Sequence, residues 1–317
     1  MPVSIAPMID WTDRHYRFFM RQITRCTTLY TEMITANAII HGNRDYLIGY
    51  SNCENPLILQ LGGNDPTDLA TCAKIAEDMG YSEVNLNVGC PSDRVQKGCF
   101  GLSLMNNPNL VAQCVEAMKN KVTIPVSVKC RIGVDDNDSY DALTNFIKNQ
   151  ITAGVDHICI HARKGWLNGL SPKENRTIPP LSYETVYQIK SDFPALRLGI
   201  NGGITDINQI TRHLEKVDYA MVGREAYHNP FIFSEADSLF YHQANSNKTR
   251  VEVIESMYPY IENQLSQGVR LSHITRHLLG LFHGQPNGKL WRQYLSTHAT
   301  NKTAGIEVVQ QALNLVR

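Results

Sequence analysis

The sequence predicts an α/β fold in which eight parallel strands close into a (β/α)8 TIM barrel, followed by a small all-helical C-terminal domain. Short apolar or β-branched runs recur along the chain, and helix-length segments separate them, as alternating strand–helix units require. Their spacing of roughly 25–40 residues fits the usual size of a closed parallel barrel. The predicted strands are residues 3–6, 28–31, 57–61, 83–87, 126–129, 157–161, 198–201 and 219–222.

The segment after the third strand has the pattern of an amphipathic helix. Asp65 is suited to the N-cap, Pro66 to the first helical position and Gly80 to the end. The predicted inward face consists of Leu69, Cys72, Ala73, Ala76 and Met79. A second helix is predicted over residues 109–120, with an inward face of Leu110, Cys114, Ala117 and Met118.

The pattern changes after residue 240, so we expect a barrel over residues 1–240 and a helical domain over residues 241–317. The polar stretch QANSNKTR is typical of a linker, and only helical periodicity follows it. One helix is predicted around residues 306–316, and a basic-aromatic stretch, KLWRQY, precedes it. Two further helices are predicted from the apolar series Val251, Ile254, Met257, Ile261 and Leu271, Ile274, Leu278, Leu281.

Bulk composition excludes several classes of protein. No apolar run approaches the roughly 18 residues of a membrane span, and the stretch MPVSIAPMIDWTDRHYR lacks the pattern of a signal peptide. The 8 cysteines form no CxxC pair, which favours reduced cytoplasmic thiols over disulfides or a metal site. Lys plus Arg number 30, as do Asp plus Glu. This balance argues against a protein that coats nucleic acid and is compatible with one local basic face.

Polar residues stand at nearly every predicted strand end. In a (β/α)8 barrel the C-terminal strand ends form the active site, so the set indicates a shared ligand. Any single case is also explained as an ordinary strand-to-loop transition. In chain order the strand-end residues are Pro7 and Met8, Glu32, Gln60, Asn87 with Cys90 beyond it, Lys129 and Arg131, His161 and Arg163, Asn201 with Gly202 and Gly203, and Gly223 with Arg224.

The turns after the last two strands predict a phosphate site. NGGI follows strand seven and GRE follows strand eight, so glycines allow backbone N–H groups to approach an anion. A helix N-terminus and Arg224 would add positive potential. These two loops form the recurrent phosphate site of this fold, which indicates a phosphorylated cofactor or substrate.

Lys129 and His161 allow more than one interpretation. A desolvated barrel lysine serves in some enzymes as a Schiff-base residue. Arg131 and a nearby phosphate instead favour a lysine that stays protonated and stabilises negative charge on a reduced flavin ring. His161 is either a cofactor ligand or a histidine packed against a neighbour.

The segment NLNVGCPSDRVQKGCFG, residues 85–101, carries the strongest single signal. Cys90 lies between Gly89 and Pro91 on a predicted exposed loop, where a thiol can act as a general acid or a nucleophile. Cys99 lies in the same segment, further from the strand end. Most cysteines are inert core residues, and we interpret the following four in that way: Cys26, Cys72, Cys114 and Cys159.

The motifs together resemble those of the tRNA-dihydrouridine synthases. The matching segments, in order, are APMIDWTD, TEM, LQLGG, NLNVGCPSDRV, VKCRIG, HAR, INGGI and VGREAYHNP, and they cover residues 3–235. The stretch HARKGWLNGLSPKENR is similar to the A-type branch, which modifies D-loop uridines at tRNA positions 20 and 20a. Cys130 departs from relatives that carry threonine or histidine there, and we assign it no catalytic role.

The resemblance implies FMN at the barrel mouth, reduced by NADPH. It implies hydride transfer from N5 of reduced FMN to C6 of uracil, with Cys90 protonating C5. The implied flavin contacts are Pro7, Met8, Ile9, Gln60, Lys129 and His161. The implied phosphate contacts are Asn201, Gly202, Gly203, Gly223 and Arg224.

The resemblance also implies how tRNA is held. Asn87 would hold the uracil edge of a uridine extruded from the tRNA elbow. Lys173 with Arg176, and Lys289 with Arg292, match contact positions of the family, and a spacing of three places each pair on one face if the segment is helical. Ordinary solvated cations remain the alternative for these four. A monomer without a protein partner suits an enzyme whose surface must bind around the tRNA.

Two other functions remain open from the sequence. A flavin barrel oxidoreductase on a free pyrimidine, similar to dihydroorotate dehydrogenases, would share the phosphate turns without needing KENR or KLWRQY. A non-catalytic tRNA-binding factor would keep the basic segments with vestigial flavin chemistry.

Overall fold

The predicted barrel is confirmed by the computed structural model, which describes residues 1–92 and 98–317. Eight strands in these residues form one parallel sheet, in which successive strands pair from β2 to β8 and β1 pairs with β8. The strands are β1 (Val3–Ile5), β2 (Leu29–Thr35), β3 (Leu57–Gly62), β4 (Glu83–Val88), β5 (Val126–Arg131), β6 (His157–His161), β7 (Arg197–Asn201) and β8 (Tyr219–Val222).

Backbone hydrogen bonds between β1 and the start of β2 complete the ring. The Ile5 N–H donates to the Thr28 carbonyl at 2.9 Å, and the Thr28 N–H donates to the Val3 carbonyl at 3.2 Å. The sheet therefore closes on itself, and the C-terminal ends of its strands face one opening, which we call the barrel mouth.

β2 is longer than predicted. It continues to Thr35, and its register against β3 shifts between Tyr30 and Met33. Because this irregularity accommodates extra residues in the strand, Glu32 lies inside β2 instead of at its end.

Helices follow the strands as the alternating pattern predicts. The helix predicted after β3 spans Pro66–Asp78, with the Asp65 carboxylate accepting from the Asp68 N–H at 2.9 Å. The second predicted helix spans Pro108–Lys119, and its buried residues are Val111, Cys114, Val115 and Met118, so Leu110 and Ala117 are only half-buried. The other α-helices that the structure describes between β2 and β8 are Ala36–His41, Arg44–Ile48, Tyr140–Thr152, Tyr183–Asp192 and Ile207–Leu214.

The helices predicted after residue 240 are present but shorter than their apolar series. The series from Val251 to Ile261 forms two helices, because Pro259 occupies the first turn of the second one. Outside the stretch from β2 to β8, the α-helices of the described residues are Arg14–Ile23, Arg224–His228, Ala236–Tyr241, Arg250–Glu255, Tyr258–Ser266, Leu271–Thr275, Gly288–His298 and Ile306–Asn314. The described 3₁₀ turns are Asn52–Glu54, Gly101–Asn106, Glu174–Arg176 and Pro230–Glu235.

A tyrosine fills part of the barrel interior. Tyr219 of β8 is fully buried in a cluster with Tyr30, Ile58 and Met221. A Cβ added to Gly199, its neighbour on β7, would lie 2.2 Å from the Tyr219 ring. Gly199 therefore gives the tyrosine the space it occupies, since a close-packed interior has no room for both groups.

The chain forms two compact units that alternate along the sequence. The barrel unit comprises Met1–Met8, Thr28–Tyr50 and Asn55–Gly223. The helical unit comprises Ile9–Thr27, Ser51–Glu54 and Arg224–Arg317. The boundary between residues 240 and 241 stays a prediction.

The three segments of the helical unit are tied together by buried polar contacts. The Arg17 guanidinium donates to the Glu54 carboxylate at 2.7 Å, with both side chains almost fully buried. The Tyr16 hydroxyl donates to the Ala226 carbonyl at 2.8 Å. Because a buried charge is costly without its partner, the first helix and the Asn52–Glu54 turn stabilise each other.

Stability of the helical unit is expected to fall in mild acid. Burial lowers the pKa of His15, whose Nδ1 lies 2.7 Å from the Tyr260 hydroxyl, to about 4 from an ordinary 6.5, although Asp13 acts in the opposite direction. The unfolded chain then binds more protons between these pH values. The contribution of His15 to the free energy of unfolding should be full above pH 6.5 and fall as the pH drops toward 4, by about 3 kcal/mol, because each pH unit between the two pKa values contributes about 1.4 kcal/mol.

Urea unfolding followed at several pH values measures this dependence. His15→Gln should flatten the loss between pH 6.5 and 4, whereas the same change at exposed His283 should not. An identical pH profile for wild type and His15→Gln would contradict the assignment.

Among the residues that the structure describes, no helix is both long enough and apolar enough to cross a bilayer.

Candidate functional site

The inner surfaces of β3 to β5 carry a row of polar side chains that leads up to the barrel mouth. Strand alternation directs Glu83, Asn85 and Asn87 of β4 to one side, where all three are buried. In the sheet register Asn85 is the neighbour of Gln60, and Asn87 is the neighbour of Lys129. Parallel pairing thus brings three strands' predicted site residues together.

Gln60 and Asn87, predicted to contact a flavin and a uracil, are bonded to each other. The Asn87 Nδ2 donates to the Gln60 Oε1 at 2.8 Å. The Asn87 Oδ1 accepts from the backbone N–H groups of Gly89 at 3.1 Å and Cys90 at 3.0 Å. One amide therefore links β3 to the Cys90 loop, which we define as residues 89–92.

Cys90 is half-buried two residues beyond the end of β4. Its carbonyl accepts from the Leu102 N–H at 2.9 Å, so its backbone is held on both sides. Its Sγ lies 3.6 Å from the Ser92 Oγ. The thiol is thus on a backbone-anchored loop, as a proton donor needs. Residues 93–97 of the predicted motif lie outside the described residues.

The other cysteines have different environments. Burial raises the pKa of both Cys72 and Cys114 to about 12 and that of Cys159 to about 11, which is typical of core thiols. Cys130 is also buried, and its pKa is raised by burial. Cys26 is half-buried and not in the core, because its turn lies at the surface.

Lys129 and Arg131 bring positive charge to the end of β5. Burial is the main cause that lowers the pKa of Lys129, and Arg131 acts in the same direction. Burial also lowers the pKa of Arg131 to about 10. Within residues 1–92 and 98–317, no carboxylate lies within ion-pair distance of the Lys129 ammonium. Desolvated cations of this kind suit an anionic or electron-accepting ligand.

The NGG turn after β7 lies against His161. Gly202 has φ +116° and Gly203 φ +70°, a region that favours glycine. A Cβ on Gly202 would lie 2.8 Å from the His161 Cδ2. The Tyr183 hydroxyl donates to the Gly202 carbonyl at 2.8 Å, and the Asn201 Nδ2 donates to the Met221 carbonyl at 2.7 Å. The turn is therefore held in a fixed conformation, and neither glycine adds a side chain of its own to a place that His161, Leu181 and Tyr183 already crowd.

The helix after this turn does not present a free N-terminus. Asp206 caps Ile207–Leu214, with its carboxylate accepting from the Gln209 N–H at 2.8 Å. A side chain of the protein therefore already occupies part of this helix terminus, and the glycine turns carry most of the anion-binding argument.

The predicted contacts from β1 and β8 are divided between the two units. Pro7 and Met8 follow β1 in the barrel unit, where Met8 packs against the interior cluster of Tyr219. Gly223 follows β8, and a Cβ there would find open space, with no neighbour closer than 4.0 Å. Ile9, which is 50% exposed, and Arg224, which begins the helix Arg224–His228, belong to the helical unit.

Lys173 and Arg176 project from a loop built around Asn175. Both cations are exposed, while Asn175 is fully buried and donates to the Trp166 and Leu170 carbonyls at 2.9 and 3.1 Å. The 3₁₀ turn Glu174–Arg176 gives a spacing of three residues one face. A spacing of three within such a turn is compatible with both charges lying on one side, and the phosphate contact stays a prediction.

Lys289 and Arg292 lie on the first turns of the helix Gly288–His298. Both are exposed, and Trp291 anchors the opposite face by donating its indole N–H to the Leu278 carbonyl at 3.1 Å. This face is cationic in its first two turns.

The sequence identifies Arg131 only as a polar strand end, but the structure gives it a definite role. Its Nε donates to the Gly89 carbonyl at 2.9 Å, and its Nη1 donates to the Lys164 and Asn175 carbonyls, both at 3.0 Å. Arg131 therefore joins the Cys90 loop to the loop that carries Lys173. No local sequence pattern predicts these contacts, because the acceptors are backbone carbonyls of three segments distant in sequence.

Comparison with known proteins gives one family and several close relatives. The family model described as dihydrouridine synthase (Dus) matches residues 4–317. The chain is 58% identical over 312 residues to a tRNA-dihydrouridine(20/20a) synthase from Synechocystis sp., with 98% of this chain and 93% of the relative covered. It is 56% identical over 314 residues to proteins of the same name from Shewanella oneidensis and Escherichia coli K12, with 99% of this chain and 93% and 91% of the relatives covered.

A solved structure supports the fold alone. A 2-naphthoyl-CoA reductase in complex with 2-naphthoyl-CoA matches with a TM-score of 0.57 and 9% sequence identity. The match covers 74% of this chain and 49% of the reductase, so the chain spans about half of that protein.

Proposed function

The chain belongs to the dihydrouridine synthase family, and we propose that it reduces the C5=C6 bond of uridine at positions 20 and 20a of the tRNA D-loop. The main support for this proposal is the Cys90 loop. The Asn87 side chain accepts a hydrogen bond from the Cys90 N–H, and Asn87 is the neighbour of Lys129 in the sheet near the barrel mouth. The specificity follows the printed names of relatives that match nearly the whole chain.

We propose FMN as the resident cofactor. Its phosphate would lie on the backbone of Asn201, Gly202, Gly203 and Gly223, with Arg224 adding charge, because the positive φ angles of Gly202 and Gly203 give a turn whose N–H groups no side chain of its own covers. Lys129, which has no carboxylate partner among the described residues, fits the electron-accepting edge of an isoalloxazine. The other contacts proposed for the ring and its surroundings are Pro7, Met8, Ile9, Gln60 and His161.

When bound and reduced by NADPH, FMN would supply the hydride to C6 of the uracil. Cys90 then donates its proton to C5, which neutralises the enolate-like charge left by reduction of the double bond. Asn87 would offer the second hydrogen of its Nδ2 to the uracil edge, while the first stays on Gln60 and its Oδ1 keeps the Cys90 loop in place. Lys129 holds positive charge where electron density gathers.

The decisive experiment uses the purified holoenzyme with NADPH and unmodified tRNA transcript. Dihydrouridine should form at positions 20 and 20a, and tRNA from cells without the protein should lack it there. Equal turnover of free uracil or uridine would instead indicate a flavin oxidoreductase of free pyrimidines. Tight tRNA binding without any reduction would indicate a binding factor.

We propose that the enzyme acts as a cytoplasmic monomer without a protein partner. A protein that must surround the tRNA elbow gains from having its charged faces free of subunit contacts. Sedimentation of the protein alone and with tRNA measures this, and a stable dimer in both states would contradict it.

Removal of the helical-unit cations is expected to weaken tRNA binding specifically. Lys289→Ala with Arg292→Ala should raise KM for tRNA and lower the slope of log affinity against log salt by about 2, because two phosphate contacts are lost. FMN affinity should not change. Salt-dependent binding curves and initial rates give both quantities.

A matched pair of exposed cations provides the control. Arg212→Ala with Lys216→Ala removes the same charge near the N-terminal ends of the strands, opposite the mouth. Its salt slope should equal that of wild type, and equal slopes for both double variants would refute the contact assignment.

A further inference from the structure

A continuous chain of polar side chains runs through the barrel interior beneath the Cys90 loop. The Asn87 Nδ2 donates to Gln60 Oε1 at 2.8 Å, and the Gln60 Nε2 donates to Asn85 Oδ1 at 2.7 Å. The Asn85 Nδ2 donates to Ser127 Oγ at 2.8 Å, and the Ser127 hydroxyl donates to Glu83. Each link joins one strand to its neighbour, so the chain connects β3, β4 and β5.

This row of polar side chains ends, on the side away from the Cys90 loop, in a pair of ionisable residues. A Glu83 carboxylate oxygen lies 2.8 Å from the His157 Nε2, and the His157 Nδ1 lies 2.8 Å from the Tyr219 hydroxyl. Glu83 is 6% exposed and His157 1%. A carboxylate so far from solvent is costly in a barrel interior that branched apolar residues normally fill. The proposed reaction uses neither Glu83 nor His157, so this pair calls for a separate explanation.

The two ends of the polar chain impose the same direction on every hydrogen bond within it. At the lower end the Ser127 hydroxyl donates to Glu83 and accepts from the Asn85 Nδ2. Asn85 then offers its oxygen to Gln60, and Gln60 offers its oxygen to Asn87. With its Nδ2 committed, Asn87 turns its Oδ1 toward the N–H groups of Gly89 and Cys90.

We propose that Glu83 and Ser127 are positioning residues for Cys90. Neither of the two contacts substrate, and they act on the Cys90 loop through Asn85, Gln60 and Asn87. The inference rests on the proposed function, because it explains the hydrogen-bonded side chains by the need to position the thiol that reacts. The chain holds the loop in one conformation before tRNA binds, and a displacement of about 1 Å at a reacting group can cost on the order of 100-fold in rate.

Ser127→Ala tests the chain at its centre. It removes the only donor to Glu83 within this relay and leaves the Asn85 Nδ2 without its acceptor. Hydrogen exchange at the Gly89 and Cys90 amides, measured in protein free of tRNA, should become at least about tenfold faster. The rate of dihydrouridine formation in a single turnover should fall by about tenfold or more, while the KM for tRNA changes less than about twofold.

Ser4→Ala is the matched control. Ser4 is also a fully buried serine on a barrel strand, and its Oγ has no hydrogen-bond partner among the residues that the structure describes. This variant should keep wild-type exchange at Gly89 and Cys90. Ser127→Thr, which retains the hydroxyl, should restore slow exchange. If only the volume of the side chain mattered, this larger residue would not restore it.

The outcomes separate this inference from the proposed function. Unchanged exchange at Cys90 in a folded Ser127→Ala protein overturns the positioning role, whatever the activity. Absence of dihydrouridine formation by wild type overturns the proposed function, while the exchange measurement still tests the hydrogen-bonded chain. If Ser127→Ala does not fold, Glu83→Gln takes its place, since an amide lets Ser127 donate or accept. Fast exchange in Glu83→Gln supports the role, and wild-type exchange there overturns it.

Discussion

Replacement of Cys90 by alanine is expected to lower dihydrouridine formation by about 10²- to 10⁴-fold, the range contributed by a positioned general acid. The half-buried thiol is on a loop anchored through the Cys90 N–H by Asn87 and through the Cys90 carbonyl by Leu102. Both anchors involve backbone atoms of Cys90, so the alanine variant should keep the loop in place and lose only the proton donor.

Three measurements separate this loss from other defects. Transfer of hydride from NADPH to the bound flavin should be unchanged in Cys90→Ala, and tRNA affinity should stay within about twofold of wild type. Cys99→Ala removes an exposed thiol nine residues further along the chain and should retain full activity. Undiminished dihydrouridine formation by Cys90→Ala would exclude the thiol as the acid.

The strands could be predicted from sequence because each one is a short buried run between helix-length segments. The eight strands and their order follow from that pattern and from the preference for neighbouring parallel pairing. The end of β2 could not be predicted, because the shift between Tyr30 and Met33 depends on pairing with β3. Local hydrophobicity carries no information on such an irregularity.

The site could be predicted at the level of which strand ends contribute to it. Closure of a parallel barrel brings all C-terminal strand ends to one opening, so Gln60, Asn87 and Lys129 had to converge whatever their exact partners. The polar chain from Asn87 to Glu83 could not be predicted in this way. Its members are ordinary alternating residues of three strands, and only the register shows that they touch.

The sequence also does not predict which segments make up the helical unit. Residues 9–27 and 51–54 come from loops between barrel strands, yet they form one compact unit with residues 224–317. The tie between Arg17 and Glu54 is a pair separated by 37 positions. The helix Arg14–Ile23 is not predicted from the sequence, and its apolar positions alone do not show which unit its buried face joins.

Substitution of Gly202 by alanine is expected to weaken FMN binding by at least about tenfold, equivalent to about 1.4 kcal/mol. The φ of +116° is strained for any residue with a side chain, and the new Cβ would lie 2.8 Å from the His161 ring. The turn, the imidazole or both must therefore move away from the proposed phosphate and ring contacts. Titration of the apoprotein with FMN, followed by flavin fluorescence, measures the change.

Gly154→Ala separates local damage from general backbone strain. Gly154 has φ +83°, so alanine there carries a left-handed penalty, but no atom lies within 4 Å of the added Cβ. It follows the helix Tyr140–Thr152, away from the barrel mouth. Both variants should lose stability, and only Gly202→Ala should lose FMN affinity. Equal FMN affinity in the two variants would remove the turn after β7 from the cofactor site, and with it the main structural support for a phosphorylated cofactor at this position.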